Sequence, residues 1–134
     1  MSEFNLRIVT PRGVFFEDKA ENLKVRTTEG DLLILANHID FVAMLPIGRG
    51  SYKVAGQVRD ICVSGGLLRV EKEQVTVLAH AIEATADIDV LRAQEAKDRA
   101  EAKIKTTSDE KELEYLEFKL KKALNRLGSS KYEN

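Results

Sequence analysis

The hydrophobic period of the chain changes once, at Glu83-Ala84-Thr85-Ala86-Asp87, and this change limits what the sequence can fold into. Upstream, apolar residues alternate with polar ones, as on half-buried strands; downstream they recur every three or four residues, as on one helix face. The connector holds neither Gly nor Pro, so no turn residue stiffens it. The pattern therefore predicts a β module joined to a helical module through a hinge-like segment. Asp87 falls where a helix N-cap belongs, its carboxylate able to accept from an orphaned backbone N–H. Asp89 would complement the positive end of the helix dipole in the first turn.

In the β half, Phe4, Leu6 and Ile8 alternate with polar neighbours, and Pro11-Arg12-Gly13 turns the chain back into Val14–Phe16. Leu23, Val25 and Thr27 form a second alternating set, closed by Glu29-Gly30-Asp31. Leu32–Leu35 is a continuous apolar run, short enough for a strand buried on both faces; Asn37–Asp40 ends it. Phe41–Leu45, Ser51–Ala55, Val58–Ser64, Leu67–Glu71 and Val75–His80 follow, parted by Pro46, Gly56-Gln57, Gly65-Gly66 and Lys72-Glu73-Gln74. About ten short strands at this spacing predict a flattened β-sandwich or barrel, and the lack of alternating helices excludes a Rossmann-like sheet.

Residues from Ile88 to Lys105 are strong helix formers, with Ala93, Ala96, Ala100 and Ile104 in one narrow stripe. Thr106–Ser108 ends this helix, and Thr107 with Glu110 has capping-box form. A second helix reaches about Leu127, with Gly128 placed for a left-handed cap. Its Leu113, Leu116, Leu120, Ala123 and Leu127 keep a heptad rhythm, and the short loop makes the pair antiparallel. The fold class is thus α+β: a β-sandwich head over residues 1–82, a hinge over 83–87 and a helical hairpin over 88–134. A seam built mostly of alanines buries little, so the hairpin should be marginal and detachable.

Function classes narrow in the same way. With 21 basic and 22 acidic residues, no global field draws the chain to nucleic acid or anionic lipid. No cationic leader with an apolar run and no spanning-length apolar stretch occurs, so a soluble chain made in the cytoplasm is expected. Gly65-Gly66 lacks the Lys-Ser/Thr of a phosphate loop, and His38 and His80 have no metal-ligand spacing. Cys62 is the only cysteine and reads as a buried structural thiol. No catalytic set converges, and neither a metal nor a required cofactor is expected. His38 is either a solvent-exposed loop residue or a contact residue, since its turn and Glu29–Asp31 lie at opposite ends of one strand. In the hairpin, helical spacing gathers Arg92, Arg99, Lys122 and Arg126 on one side. Two readings are open: ordinary surface pairing, Arg92 with Asp89 and Arg99 with Glu95, or a polyanion site.

The chain resembles the epsilon subunits of bacterial F-type ATP synthases over nearly its whole length. The likeness lies in Val9-Thr10-Pro11-Arg12-Gly13, Glu29-Gly30-Asp31-Leu32, Asn37-His38, Ile61–Val70, Val75–Ala79 and Ile88-Asp89-Val90-Leu91-Arg92-Ala93, in that order. The resemblance implies a non-catalytic rotor, or central-stalk, subunit of a proton- or sodium-translocating complex. The head would sit on the gamma subunit and touch the c-ring, a contact assigned to Glu29, Asp31 and His38. The hairpin would extend along the alpha/beta catalytic hexamer and block ATP hydrolysis. The chain would lie at the cytoplasmic face of the bacterial plasma membrane, held there only through the complex. In members whose hairpin binds ATP as a regulatory ligand, the pattern is matched here by Glu83, Ile88, Asp89, Arg92, Ala93, Arg99 and Arg126. Lys122 stands where such members carry Arg, replacing a planar fork with a point charge. The family's Gly-Ile-Leu-Pro-Gly-His run reads Leu33-Ile34-Leu35-Ala36-Asn37-His38. The alternative is a free-standing cytoplasmic nucleotide-sensing module using the same hairpin.

Overall fold

The computed structural model describes residues 2–130, apart from the side chains of Ser129 and Ser130. Met1 and residues 131–134, counted above in the head and the hairpin, lie outside the described residues. The chain divides into two compact units, Met1–Ala84 and Thr85–Asn134.

The first unit is built of β1 (Phe4–Thr10), β2 (Gly13–Ala20), β3 (Asn22–Thr27), β4 (Gly30–Ile34), β5 (Phe41–Val54), β6 (Gln57–Glu71), β7 (Gln74–Ala79) and β8 (Ile82–Ala84). Their order is β2-β1-β7-β6-β5-β3-β4, with β8 on β6. Only β1 and β7 pair in parallel. The sheet folds over on itself: Phe16, on one edge strand, meets Tyr52 of β5 with ring centroids 4.7 Å apart. Leu6, Ile8, Leu23, Ile34, Ile61, Leu68, Val70, Val75 and Val77 fill the resulting interior, all under 2 % exposed or at 2 % or less. The alternation read from the sequence is the cause, since period two sends every second side chain inward.

Eight strands stand where about ten were expected, because Pro46 and Gly65-Gly66 do not end strands. Leu45 pairs with Gly66 and Ile47 with Ser64 in one unbroken register, and only Pro46 and Gly65 between them are left out of the pairing. Proline has no N–H for a ladder, and Gly65 takes φ +83, so both fall at a local gap in an otherwise continuous ladder. The turn at Ala55-Gly56, by contrast, closes a tight hairpin with both residues at positive φ, 51 and 80. Leu32–Leu35 is not buried on both faces: Leu33 and Leu35 are about half exposed while Ile34 is buried. Period two turns Leu32 and Ile34 toward the core and leaves Leu33 and Leu35 on the uncovered face.

The connector is more structured than its composition implied. Ile82–Ala84 pairs with Ile61–Val63, and Thr85–Asp87 forms a 3₁₀ turn with Thr85 buried. In the second unit, α1 spans Val90–Ile104 and α2 spans Glu110–Ser130. The cap of α1 is Asp89, not Asp87: its φ/ψ of −83/102 is extended, and its carboxylate accepts from the Arg92 N–H at 3.1 Å. Asp109, not Thr107, caps α2, accepting from the Lys111 N–H at 2.9 Å. Asp87 is held in the 3₁₀ turn, leaving Asp89 to cap α1, and Asp109 directly precedes α2 and accepts from the N–H groups two and three residues ahead. Gly128 ends nothing, and α2 runs on to Ser130. Ala93, Ala100, Leu116 and Ala123 are the buried residues of the hairpin seam.

Candidate functional site

The clearest concavity in the second unit is a cleft of about 240 Å³ between α1 and α2. Its floor is apolar, made by Ala96, Ala100, Leu116 and Ala123. The alanine stripe explains the hollow: a small side chain at 96, 100 and 123 leaves space that a leucine would fill. Five cations line it, Arg99 and Lys103 from α1 and Lys119, Lys122 and Arg126 from α2, with no carboxylate in the lining. The two sets sit at helical spacings of four, and of three and four, so each helix directs its cations to one side.

Neither expected surface pair forms. Asp89 is committed to the helix cap, and no ion pair links Arg92 to it or Arg99 to Glu95 among the described residues. The carboxylates of α1 that do bond are turned to other groups: Asp98 accepts from Gln94 Nε2 at 3.0 Å, and Glu101 lies 3.7 Å from Lys97 Nζ. Lys119 Nζ sits 4.8 Å from the Tyr115 ring centroid. Among the described residues Arg99, Lys103 and Lys122 have no ion-pair partner, so the cleft keeps a concentrated positive charge.

Of the residues singled out in the hairpin, Arg99, Lys122 and Arg126 line this cleft. Ile88, Asp89, Arg92 and Ala93 do not. Ala93 is fully buried in the seam, Ile88 is buried, Asp89 is the cap, and Arg92 is exposed. Glu83 belongs to β8 in the first unit. Lys103 and Lys119 were missed, although continuing the same helical spacing by one turn reaches both.

On the head, Glu29 and Asp31 flank Gly30, which takes φ +117, in the β3–β4 turn. The turn is pinned by the half-buried hydroxyl of Thr27, which donates to the Gly30 carbonyl at 2.8 Å and accepts from the Glu29 N–H at 3.1 Å. Both carboxylates are exposed, and Asp31 pairs with Arg26 Nε at 3.1 Å. His38 follows the other end of β4 and is half-buried, its ring centroid 5.0 Å from that of Phe41. Asn37 adopts φ 65, so the departure from the family's Gly is accommodated by the residue that best tolerates the left-handed region after glycine. Depressions elsewhere on the head are lined by mixed charge, as at Arg7, Glu17 and Asp18, and Arg7 pairs with Glu17 at 2.9 Å.

Fold and cleft together define a class: a two-part chain, a β-sandwich followed by a helical hairpin with a cation-lined cleft. The ATP synthase delta/epsilon chain beta-sandwich domain matches residues 3–85, and the delta/epsilon chain long alpha-helix domain matches residues 86–131. The ATP synthase epsilon chain of Alkaliphilus oremlandii is 44% identical over 109 residues, 81% of each chain. That of Halalkalibacterium halodurans is 40% identical over 128 residues, covering 95% of this chain and 96% of the relative. The fold also matches a chain in the Euglena gracilis mitochondrial ATP synthase OSCP/F1/c-ring structure, with TM-score 0.78 at 22% identity, over 90% of this chain and 77% of that one. The chain belongs to the epsilon-chain family of bacterial F-type ATP synthases, a family of non-catalytic subunits.

Proposed function

We propose that the chain is the central-stalk rotor subunit that joins gamma to the c-ring and restrains ATP hydrolysis through its hairpin, with ATP holding the hairpin closed. The observation that carries this reading is the five-cation cleft, which exists only while α1 and α2 lie side by side. Separating the helices disperses the charges and dissolves the site, so an anion that fills it favours the closed hairpin by linkage. An epsilon subunit meets ATP at the complex that makes and hydrolyses it, and a triphosphate is the anion that suits clustered guanidinium and ammonium groups.

The head would supply the mechanical contacts. Glu29 and Asp31 offer an exposed acidic turn for the c-ring, with His38 at the other end of β4. Val42 and Met44 on one face of β5, Leu33 of β4 and Leu35 just beyond it stay exposed although apolar, as partner-facing residues do. No helix among the described residues is long and apolar enough to cross a membrane. The free-standing sensor reading differs in one outcome, since such a chain would purify alone.

The test uses the holoenzyme. With Cys62 replaced by Ser, Ala96→Cys and Ala123→Cys would be joined across the seam by a short bismaleimide. The joined form should fail to inhibit ATP hydrolysis, whereas the same variant left unjoined should inhibit. Equal inhibition by both would exclude opening of the hairpin as the mechanism.

A further inference from the structure

We infer that the uncovered edge of β6 at residues 57–60 receives an added strand from a partner subunit, and that Arg59 holds a carboxylate of that strand. The inference goes beyond the rotor reading above by placing a docking edge on the head. It rests on that reading only for the partner being part of the complex.

Backbone geometry supplies the edge. On one side of β6, β5 pairs with it as far as Gln57; on the other, β8 covers only Ile61, Cys62 and Val63. Residues 57–60 therefore have one strand neighbour, and in an antiparallel pair alternate residues turn their N–H and C=O groups away from it. All four are exposed, and Val58 is 60 % exposed although apolar. An edge of this kind is a template for a further strand unless a bulge, a proline or a cover blunts it. Among the described residues none does so here, and the β5–β6 register runs without a shift from Ile47 and Ser64 to Val54 and Gln57. The edge carries two charges instead, Arg59 and Asp60, which period two sends to opposite faces. They select the strand that can add, an acid meeting Arg59 and a neutral or basic residue meeting Asp60.

Stacking and charge fix what Arg59 can take. Its guanidinium carbon lies 5.7 Å from the Phe16 ring centroid and 5.9 Å from that of Tyr52, with the side chain still exposed. Two rings within about 6 Å hold the planar group in one orientation and leave its N–H fork at the edge. Among the described residues it has no ion-pair partner. The acids beside Phe16 and the β5–β6 turn are committed elsewhere. Glu17 pairs with Arg7 at 2.9 Å, and Glu21 accepts from the Gly56 N–H at 3.1 Å and lies 3.7 Å from Lys53 Nζ. A pre-oriented guanidinium without a carboxylate suits a bidentate contact, and little side-chain entropy remains to be lost when one arrives. Main-chain bonds along the edge give affinity, and Arg59 gives the register.

Reassociation of the full-length chain with ATP synthase prepared without it, read by co-sedimentation over a concentration series, tests this. Amides of residues 57–60 should exchange more slowly in the complex than in the free chain. Arg59→Gln should raise the half-saturating concentration about tenfold and Arg59→Glu further, whereas Lys19→Glu, a charge reversal on β2, should not. Wild-type binding should also fall more steeply with added salt than that of Arg59→Gln, a difference that a merely structural loss does not produce. Arg59→Glu binding like the wild type would overturn the carboxylate contact, and binding with unchanged exchange at residues 57–60 would overturn the added strand. A dimer of the isolated chain that Arg59→Glu dissociates would give the edge to a second copy and overturn the partner. If the wild-type chain does not reassociate at all, the rotor reading fails and this edge loses its partner with it.

Discussion

Gly66 sets the tightest packing constraint on the head, and Gly66→Ala tests it. A Cβ built there would stand 2.2 Å from the Leu78 carbonyl oxygen and 2.8 Å from Ala79 Cα, both backbone atoms that cannot rotate away. Reaching even the 3.0 Å floor of real Cβ contacts requires β6 and β7 to part by about 0.8 Å at this point. Gly66 pairs with Ala79 and Leu67 with Leu78, and the His80 N–H donates to the Gly65 carbonyl at 3.0 Å. A separation of that size takes such bonds out of range. Losing two, at about 1–1.5 kcal/mol each, costs about 2–3 kcal/mol, a large share of a domain's net stability. For a unit of this size that is a fall of roughly 10–20 °C in melting temperature. The assay is a thermal melt of the whole chain followed by far-UV circular dichroism, beside Gly56→Ala. Gly56 has open space around it and φ +80, so alanine there incurs only the left-handed backbone cost of about 1–2 kcal/mol. If Gly66→Ala melts no lower than Gly56→Ala, the strands yield freely at this site and the steric reasoning is wrong.

Asp89→Ala should destabilise α1 by about 1 kcal/mol, read as faster amide exchange in its first turn with the head unaffected. Arg99→Ala should weaken ATP binding by calorimetry more than Arg92→Ala does, because Arg99 lines the cleft and Arg92 does not; the reverse order would place the ligand elsewhere. A chain ending after Ala86 should give a cooperatively melting head, since the residues of its hydrophobic core all fall between Phe4 and Ala79, with Ile82 packed against them. Gly128→Ala should stabilise α2 by up to about 1 kcal/mol of helix propensity, read as slower amide exchange in its last turns, as no atom stands within 4 Å of the added Cβ.

The sandwich-plus-hairpin class was legible in the sequence because it rests on periodicity, which burial enforces along whole segments. Leu6 and Ile8, or Leu116 and Ala123, could be placed inward from spacing alone. What escaped was set by long-range geometry. Pro46 and Gly65 read as strand ends because both usually are, and only their juxtaposition across β5 and β6 confines them to one gap in a continuous ladder. Leu33 and Leu35 read as buried because an apolar run does not reveal that one face of its strand is left uncovered. The caps were displaced by two residues where two acceptors competed for one helix start, a choice made by where the first turn packs. Helical spacing brought Arg99, Lys122 and Arg126 to one side of the hairpin, where they line the cleft, but it also included Arg92 and stopped short of Lys103 and Lys119.

The energetics of the cleft and of the seam explain each other under the regulatory reading proposed here. Alanines at 93, 96, 100 and 123 bring the helices close, and each buries less apolar area than a leucine would, so closure gains little. The same closeness crowds five like charges around one hollow. At about 10 Å in water each pair repels by about 0.4 kcal/mol before salt screening, and closure sets two charges on α1 against three on α2, about six such pairs. Closure of the empty hairpin therefore sets a weak attraction against a comparable repulsion. A bound polyanion reverses the sign of the electrostatic part, since every cation then faces negative charge. At a ligand concentration one hundred times its Kd the closed form gains about 2.7 kcal/mol, which moves a balanced two-state equilibrium about a hundredfold. A leucine seam would hold the hairpin shut with or without ligand, and a carboxylate in the lining would relieve the repulsion permanently. Either change would cost the hairpin its response, so the small residues and the cationic lining have to occur together.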